Sequence, residues 1–196
     1  MKMEQHSDKL LATATDLLSG LIRIPSLSRE EDGTRDYLYE FLKSQDVVAH
    51  TDGNNIYAMN REFTEGRPTL LLNSHHDTVK PNAGYTNLPH EPLIKDGKLF
   101  GLGSNDAGAS LVCLLLTFLR YYDRIDLPIN IIFVASAEEE ISGKNGIERV
   151  LSSLPSIDFG IVGEPTSGDV AVAEKGLLVL DCTATGKAGH AARNEG

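Results

Sequence analysis

Three short runs of the chain are almost entirely apolar, and the segments between them carry apolar residues at helical spacing. The runs are 69–73 (TLLLN), 130–135 (NIIFVA) and 159–162 (FGIV). Apolar runs without alternation are typical of strands buried on both faces, as in a parallel sheet. Helices are predicted over 107–120 and 146–154, between successive runs. The resulting β-α-β-α-β order predicts an α/β fold.

The first sixty residues predict two helices and two short strands. Apolar residues at helical spacing indicate a first helix that ends before Pro25, with Ser7 as its candidate N-cap, and a second helix over 29–44. Strands are predicted over 47–50 and 55–59, on either side of an Asp-Gly-Asn turn. We therefore expect a mixed, mostly parallel sheet that is flanked by helices.

The pattern changes after residue 174. Residues 177–185 (LLVLDCTAT) alternate polar and apolar positions, as expected for a sheet with one solvated face. We therefore expect one domain over 1–175 and the start of a smaller α+β domain over 176–196, which would be truncated soon after it begins.

Composition excludes several classes of partner. Asp and Glu outnumber Lys and Arg by 28 to 18, which gives a formal charge of −10 and argues against binding to nucleic acid or an anionic membrane. No run of the sequence is long enough to span a bilayer. Cys113 and Cys182 lie far apart and indicate neither a disulfide framework nor a thiolate zinc site, so a cytoplasmic location is expected.

His or carboxylate residues follow each of the three apolar runs. These residues are His75, His76 and Asp77 after the first run, Glu138, Glu139 and Glu140 after the second, and Glu164 after the third, with Asp106 before the helix at 107. In open α/β sheets, ligands bind outside the carboxyl ends of the strands. Carboxylate oxygens and imidazole suit zinc or a similar divalent ion, and so many carboxylates at one edge require a cation.

Each of these elements has a plainer interpretation when it is taken alone. The two histidines could be ordinary loop residues, and Asp106 could be the N-cap of its helix. The Glu138–Glu140 run could be a solvated helix entrance that the helix dipole favours, and Glu164-Pro165 could be a turn. Their coincidence at one edge of one sheet favours the metal site.

Two other catalytic or binding motifs are weaker. Gly101-Leu102-Gly103 with Gly108 is like a dinucleotide-binding loop, but the spacing is not G-x-G-x-x-G. The preceding residues 98–100 (KLF) are a poor candidate for a buried strand. No G-x-S-x-G nucleophile elbow occurs in the sequence.

Four motifs spread over about half of the chain carry a family resemblance. They are 75–79 (HHDTV), 101–106 (GLGSND), 138–140 (EEE) and 162–166 (VGEPT). In this order they resemble the co-catalytic zinc amidohydrolases, which include acetylornithine deacetylase, succinyl-diaminopimelate desuccinylase, aminoacylase and glutamate carboxypeptidase. Residues 186–191 (GKAGHA) look like the opening of that family's lid, or dimerisation, domain.

The resemblance implies two divalent metal ions, zinc or alternatively cobalt or manganese, in the domain at 1–175. Its metal ligands would be His75, Asp106, Glu140 and Glu164. Asp106 would bridge the two metals, His75 and Glu164 would complete the first, and Glu140 would bind the second. Asp77 would orient His75.

The resemblance also implies a hydrolytic mechanism. Glu139 would be the general base that activates a water molecule held by the metals. His190 would stabilise the oxyanion, in this family usually across a homodimer formed by the lid domain.

The substrate implied is a small N-acylated amino acid or a dipeptide. The HDTV and GEPT motifs favour an enzyme like acetylornithine deacetylase, which belongs to arginine biosynthesis. The alternatives are a desuccinylase or a dipeptidase of the same family, and, in another class, a non-catalytic relative or an inactive fragment. The family often has Arg where Leu102 stands, and Lys-Gly-Gly-like residues where 107–110 read AGAS.

One expected ligand has no counterpart in the sequence. The last ligand of the second metal in this family is a His near the C-terminus, and the 196 residues end before any such position. We therefore expect this chain to be weakly active, with His76 or His90 as the first candidates to replace the missing ligand.

Overall fold

The structure is a computed structural model that describes residues 2–173, 175–176, 178, 180 and 182–186. The chain divides into two compact units, Met1–Pro165 and Thr166–Gly196. The described residues of the second unit contain no helix or strand. The alternating segment at 177–185 is described only in part, and His190 lies outside the described residues. The domain boundary at 175 stays a prediction.

Among its described residues, the first unit contains four α-helices and two short non-α helical turns. The α-helices are α1 (Lys2–Arg23), α2 (Asp32–Ser44), α3 (Ala109–Tyr122) and α4 (Ile147–Leu151), and the turns are a π-helical turn at Ser104–Gly108 and a 3₁₀ turn at Glu139–Ile141. The prediction that Ser7 caps the first helix is wrong, because α1 already begins at Lys2. The sequence of residues 2–6 (KMEQH) includes good helix formers, which is consistent with a helix that begins before Ser7.

Within the described part of the chain, seven strands form two sheets. The strands are β1 (Ala49–Asp52), β2 (Asn55–Met59), β3 (Thr69–His75), β4 (Leu93–Lys95), β5 (Lys98–Phe100), β6 (Asn130–Ser136) and β7 (Phe159–Val162). The larger sheet has the order β1-β2-β6-β3-β7, and β4 and β5 form a separate antiparallel hairpin. In the larger sheet, β3 pairs in parallel with β6 and β7, whereas the β1–β2 and β2–β6 pairs are antiparallel. The expected mixed α/β sheet is therefore confirmed.

Alternate residues of β3 and β6 are buried on opposite faces of the larger sheet. Leu72 and Phe133 belong to the main core, which also contains buried residues of α1, α2 and α3. Leu71 and Ile132 belong to a smaller core with Val150 of α4. This alternation explains why both strands are apolar at almost every position, since helices cover both of their faces.

β7 differs from the prediction. Its apolar sequence predicted a strand buried on both faces, but all four of its residues are exposed, including Phe159 and Val162. β7 pairs only with β3 and forms the edge of the larger sheet, so its side chains have neighbours on one side only.

The parallel register brings the carboxyl ends of β3, β6 and β7 to one edge of the sheet. His75 pairs with Ser136, and Asn73 pairs with Val162. The residues that follow these pairs, namely 76–77, 137–140 and 163–164, therefore leave the sheet at the same edge. This edge carries the candidate chemistry.

Candidate metal centre

His75 lies at the centre of a group of carboxylates from four segments. It is the last residue of β3, and its side chain is fully buried. Its Nε2 atom lies 3.1 Å from Oδ1 of Asp106, 3.8 Å from Oε2 of Glu164 and 3.9 Å from Oε2 of Glu139. The potential ligand atoms of His75, Asp106 and Glu140 lie within 4.8 Å of one another. The structure therefore brings all four predicted metal ligands and the predicted base together.

Asp77 links this group to the backbone that carries two of the glutamates. Its side chain is fully buried, and its backbone oxygen accepts a hydrogen bond from Nδ1 of His75 at 3.0 Å. Its Oδ1 and Oδ2 atoms accept the backbone N–H groups of Glu139 and Glu140, at 3.1 and 3.2 Å. With Nδ1 held in this way, Nε2 of His75 faces Asp106, which is the geometry a metal-binding imidazole needs.

The electrostatics of the group favour bound positive charge. Burial lowers the pKa of His75, but the hydrogen bond to Asp77 and the negative charges of Asp77, Glu164 and Glu139 outweigh it and raise the pKa to about 9. Burial raises the pKa of the Glu140 carboxyl, and the charge of Asp106 raises it further. Burial also raises the pKa of the Glu164 carboxyl, and the nearby Glu139 adds to this effect. These carboxylates resist further negative charge, so the donor set fits a divalent cation.

Asp106 reaches the group from the π-helical turn at Ser104–Gly108. Its backbone leaves helical geometry, with φ −113° and ψ 100°, and the Asp106–Ala107 peptide bond is cis. No side-chain hydrogen bond caps α3, so Asp106 is not the N-cap of that helix. Gly103 has φ +72°, and a Cβ atom on Gly108 would lie 2.5 Å from the Gly103 carbonyl oxygen. These glycines therefore serve the close packing of the turn that carries Asp106.

His76 points away from the carboxylate group. Its Nδ1 atom lies 2.8 Å from Oγ1 of Thr34, and its Nε2 atom donates to the backbone oxygen of Asn54 at 2.9 Å. Burial lowers the pKa of His76 to about 4, so this side chain is neutral at pH 7. His90 contacts the backbone oxygen of Ile22 through Nδ1. Both histidines are thus engaged elsewhere, which argues against their replacing a missing ligand.

One buried residue near the group, Glu31, is not predicted from the sequence. Glu31 has 0% of its surface exposed and accepts the backbone N–H of Glu138 at 3.1 Å. The sequence offers no pattern that identifies Glu31, because its partners lie far from it along the chain.

A cavity of about 480 Å³ opens beside the group. Its wall includes His75, Glu139 and Glu164, together with other polar residues and with apolar side chains such as Leu71 and Ile147. A concave site that combines apolar side chains with convergent polar groups is typical of a site for a small ligand.

An α/β sheet with a buried imidazole and converging carboxylates at its strand ends is the arrangement of a metallohydrolase domain. A model of peptidase family M20/M25/M40 matches residues 71–180, which is more than half of the chain. The chain therefore belongs to this peptidase family. The match confirms the resemblance at the level of the family.

Solved structures of the family share this fold. The chain resembles a metallo-carboxypeptidase of the M20 family from Sulfolobus solfataricus, with 24% identity and a TM-score of 0.62, over 79% of this chain and 37% of that chain. It resembles a dinuclear metal-binding M20 peptidase from Bacillus subtilis, with 19% identity and a TM-score of 0.60, over 79% and 43%. A tripeptidase from Staphylococcus aureus has 26% identity and a TM-score of 0.53, over 76% and 42%. The chain thus spans about two fifths of the length of these structures.

Among the described residues, no helix combines the length and the apolar character that crossing a membrane requires.

Proposed function

We propose that this chain forms the metal-binding part of a dinuclear amide hydrolase whose substrate is a small N-acylated amino acid. The observation that carries the proposal is the approach of His75, Asp106 and Glu140 ligand atoms to within 4.8 Å of one another. The Oε2 atoms of Glu164 and Glu139 lie 3.8 and 3.9 Å from Nε2 of the same imidazole, that of His75. One imidazole and four carboxylates from four segments thus lie close together. A loop histidine, a helix cap, a solvated helix entrance and a turn, taken separately, do not explain this convergence.

The ligands divide between two cations, most simply zinc. His75 and Glu164 would hold the first cation, Glu140 would hold the second, and Asp106 would serve both. Two bound cations supply a water of lowered pKa and polarise the amide carbonyl. Family resemblance, the donor chemistry and the dinuclear Bacillus subtilis peptidase support this assignment.

Glu139 is the proposed general base. Its carboxylate is half exposed and so can reach substrate, and its backbone is held by Asp77. In the reaction, the Glu139 carboxylate accepts a proton from the attacking water and delivers it to the nitrogen of the leaving amine as the C–N bond breaks. Glu139 therefore returns to its ionised form at the end of the reaction, because it gives the leaving amine the proton that it took from water.

Asp77 positions His75 and carries no proton in this scheme. Burial raises the pKa of the Asp77 carboxyl, but hydrogen bonds from His75, Ser28 and the backbone N–H groups of Glu139 and Glu140 outweigh it and lower the pKa. The group therefore stays ionised and acts as a fixed acceptor. His190, outside the described residues, is proposed to donate to the oxyanion across a homodimer formed by the lid segment at 176–196.

Within the amide hydrolases, the HDTV and GEPT motifs favour N-acetylornithine as the substrate. The tripeptidase from Staphylococcus aureus, at 26% identity, favours a small peptide as the second candidate. Both substrates place an amide next to a charged amino-acid end, so the present residues serve either. We place the protein in the cytoplasm because its cysteines, Cys113 and Cys182, are both free.

The test uses the purified full-length gene product with zinc and a panel of N-acetylornithine, N-succinyl-diaminopimelate, dipeptides and tripeptides. Release of acetate from N-acetylornithine at the highest kcat/KM supports the deacetylase assignment. Faster cleavage of peptides would replace it with the peptidase candidate. Two tightly bound metals with no hydrolysis of any amide would overturn the enzymatic proposal in favour of a non-catalytic relative.

A further inference from the structure

Glu31 is a fully buried carboxylate that the mechanism above does not use. It immediately precedes α2, yet its side chain makes no capping hydrogen bond to that helix. Its Oε1 atom accepts the backbone N–H groups of Arg29 at 2.7 Å and of Glu138 at 3.1 Å, and its Oε2 atom accepts Nδ2 of Asn54 at 2.7 Å. One carboxylate thus joins three segments that are distant along the chain.

Its contact with Glu138 completes a set of three consecutive backbone hydrogen bonds. The N–H of Glu138 donates to Glu31, and the N–H groups of Glu139 and Glu140 donate to Asp77. Buried carboxylates therefore hold every backbone N–H group of the segment 138–140. Hydrogen bonds to charged acceptors are stronger and more directional than neutral ones.

Glu138 is the point at which this segment turns. Its φ is +54°, in the left-handed region that non-glycine residues rarely adopt. Its own carboxylate accepts hydrogen bonds from Asn145, so it is turned away from His75. Because residues 139 and 140 follow this turn directly, the backbone at 138 sets the direction in which both side chains leave.

We propose that Glu31 is a positioning residue that, together with Asp77, fixes the backbone of 138–140 and thereby aims Glu139 and Glu140 at the metal centre. The consequence for catalysis rests on the proposed function, whereas the consequence for the backbone does not. Glu31 touches neither substrate nor metal in this assignment.

The amide of Asn54 makes the acceptor character of Glu31 testable. Oδ1 of Asn54 accepts a hydrogen bond from Nη1 of Arg35, and Nδ2 therefore faces Glu31. In Glu31→Gln, the side-chain amide can take two orientations. In one, its NH₂ group faces the NH₂ group of Asn54, so two donors oppose each other. In the other, its oxygen faces Asn54 and no longer accepts the N–H of Glu138. In the double variant with Asn54→Asp, the Gln donor faces a carboxylate that also accepts from Arg35, so the pairing is restored.

The experiment measures amide hydrogen exchange by NMR in the metal-free chain, so its outcome is independent of activity. Glu31→Gln should speed exchange at Glu138 and Glu139 by about tenfold or more relative to the amides of β3 and β6. The double variant should return it to within about threefold of wild type. Asp158→Asn is the matched control, because Asp158 also accepts a backbone N–H, that of Thr69, at the opposite end of β3.

A second arm reads the metal centre with Co²⁺ as the probe. Glu31→Gln should change the visible Co²⁺ spectrum and weaken Co²⁺ binding by about tenfold, whereas Asp158→Asn should leave the spectrum unchanged. If Glu31→Gln does not fold, Asn54→Ala, which removes one donor without a clash, should give a smaller increase in exchange at Glu138. Exchange at 138–139 that rises only as much as in β3 and β6 would overturn the proposal, as would an unchanged Co²⁺ spectrum.

Discussion

Nε2 of His75 lies 3.1 Å from Oδ1 of Asp106, although 31 positions separate the two residues in the sequence. His75 ends β3, and Asp106 lies in the π-helical turn that precedes α3. The contact therefore depends on how the turn folds back over the end of the strand. The same two atoms are proposed to be ligands of one cation, so changes at either residue should have measurable effects on metal binding.

Metal binding should stabilise the chain. A divalent cation relieves the repulsion among Asp106, Glu140 and Glu164, and it binds the folded state in preference to the unfolded one. Zinc at about 100 times its Kd should therefore raise the free energy of unfolding by about 2.7 kcal/mol. Thermal or urea unfolding with zinc and with a chelator measures this gain. His75→Ala should abolish it, whereas the exposed His50→Ala should preserve it.

The two proposed metal sites should differ in affinity in this chain. In the proposed assignment His75, Asp106 and Glu164 would serve the first cation, whereas among the described residues only Asp106 and Glu140 would serve the second. Catalytic zinc normally has three or more protein ligands. Calorimetric titration should show one tight site and one weak or absent site, with amide hydrolysis near background. Two tight sites with rapid turnover would mean that another residue supplies the missing ligand.

Metal binding should release protons in a pH-dependent way. The pKa of His75 is raised to about 9, so its imidazole is protonated in the metal-free chain at pH 7 and must lose that proton to become a ligand. About one proton should leave His75 on zinc binding at pH 7, and this release should decline as the pH rises through 9. Calorimetry in two buffers of different ionisation enthalpy measures the number of protons. A release that does not change between pH 7 and 10 would contradict the proposed ligand.

Asp77→Asn should weaken metal binding without removing a ligand. The amide can no longer serve as a charged acceptor for both backbone N–H groups and Ser28, so His75 and the segment 138–140 lose their common support. Loss of such an outer partner typically weakens metal affinity by about 10- to 100-fold. Ser28→Ala removes one hydrogen bond from Asp77 and should have a clearly smaller effect on the Kd for zinc.

Glu139→Gln should separate metal binding from catalysis in the full-length gene product. If Glu139 is the general base, the variant should keep its metal content and lose about 10²- to 10⁴-fold in kcat. Glu140→Gln is the matched comparison, and it should instead lose the second metal. The reverse result, with metal lost from Glu139→Gln and only a modest fall in kcat, would exchange the roles of these two neighbours.

The sequence predicted several strands of the larger sheet closely because their signal is local. The strand pattern beside the Asp-Gly-Asn turn located β2 to the residue, and the apolar runs located β7 to the residue and the starts of β3 and β6. Both strands extend past their predicted ends, because His75 and Ser136 are polar but still belong to β3 and β6. These two residues are polar because they lie at the edge of the sheet that carries the site, and not because strand pairing ends before them.

The exposure of β7 and the backbone turn by which Asp106 reaches His75 could not be predicted from the pattern. The sequence pattern of an apolar strand does not distinguish the centre of a sheet from its edge, because burial depends on neighbours that come from elsewhere in the chain. Asp106 before a helix reads as an N-cap, but the π-helical turn directs its carboxylate to His75 instead.

The sequence by itself determined the kinds of element, their order and the residues able to bind a metal, since these follow from hydrophobic period and side-chain chemistry along short segments. Only the tertiary structure decided which atoms meet. In the folded chain His76 contacts Thr34 and not the carboxylate group. Glu31 accepts the backbone N–H of Glu138, and Asp77 accepts those of Glu139 and Glu140. These contacts join residues 42 to 107 positions apart, and the parallel register of β3 and β6, which no local pattern encodes, sets the edge at which they form.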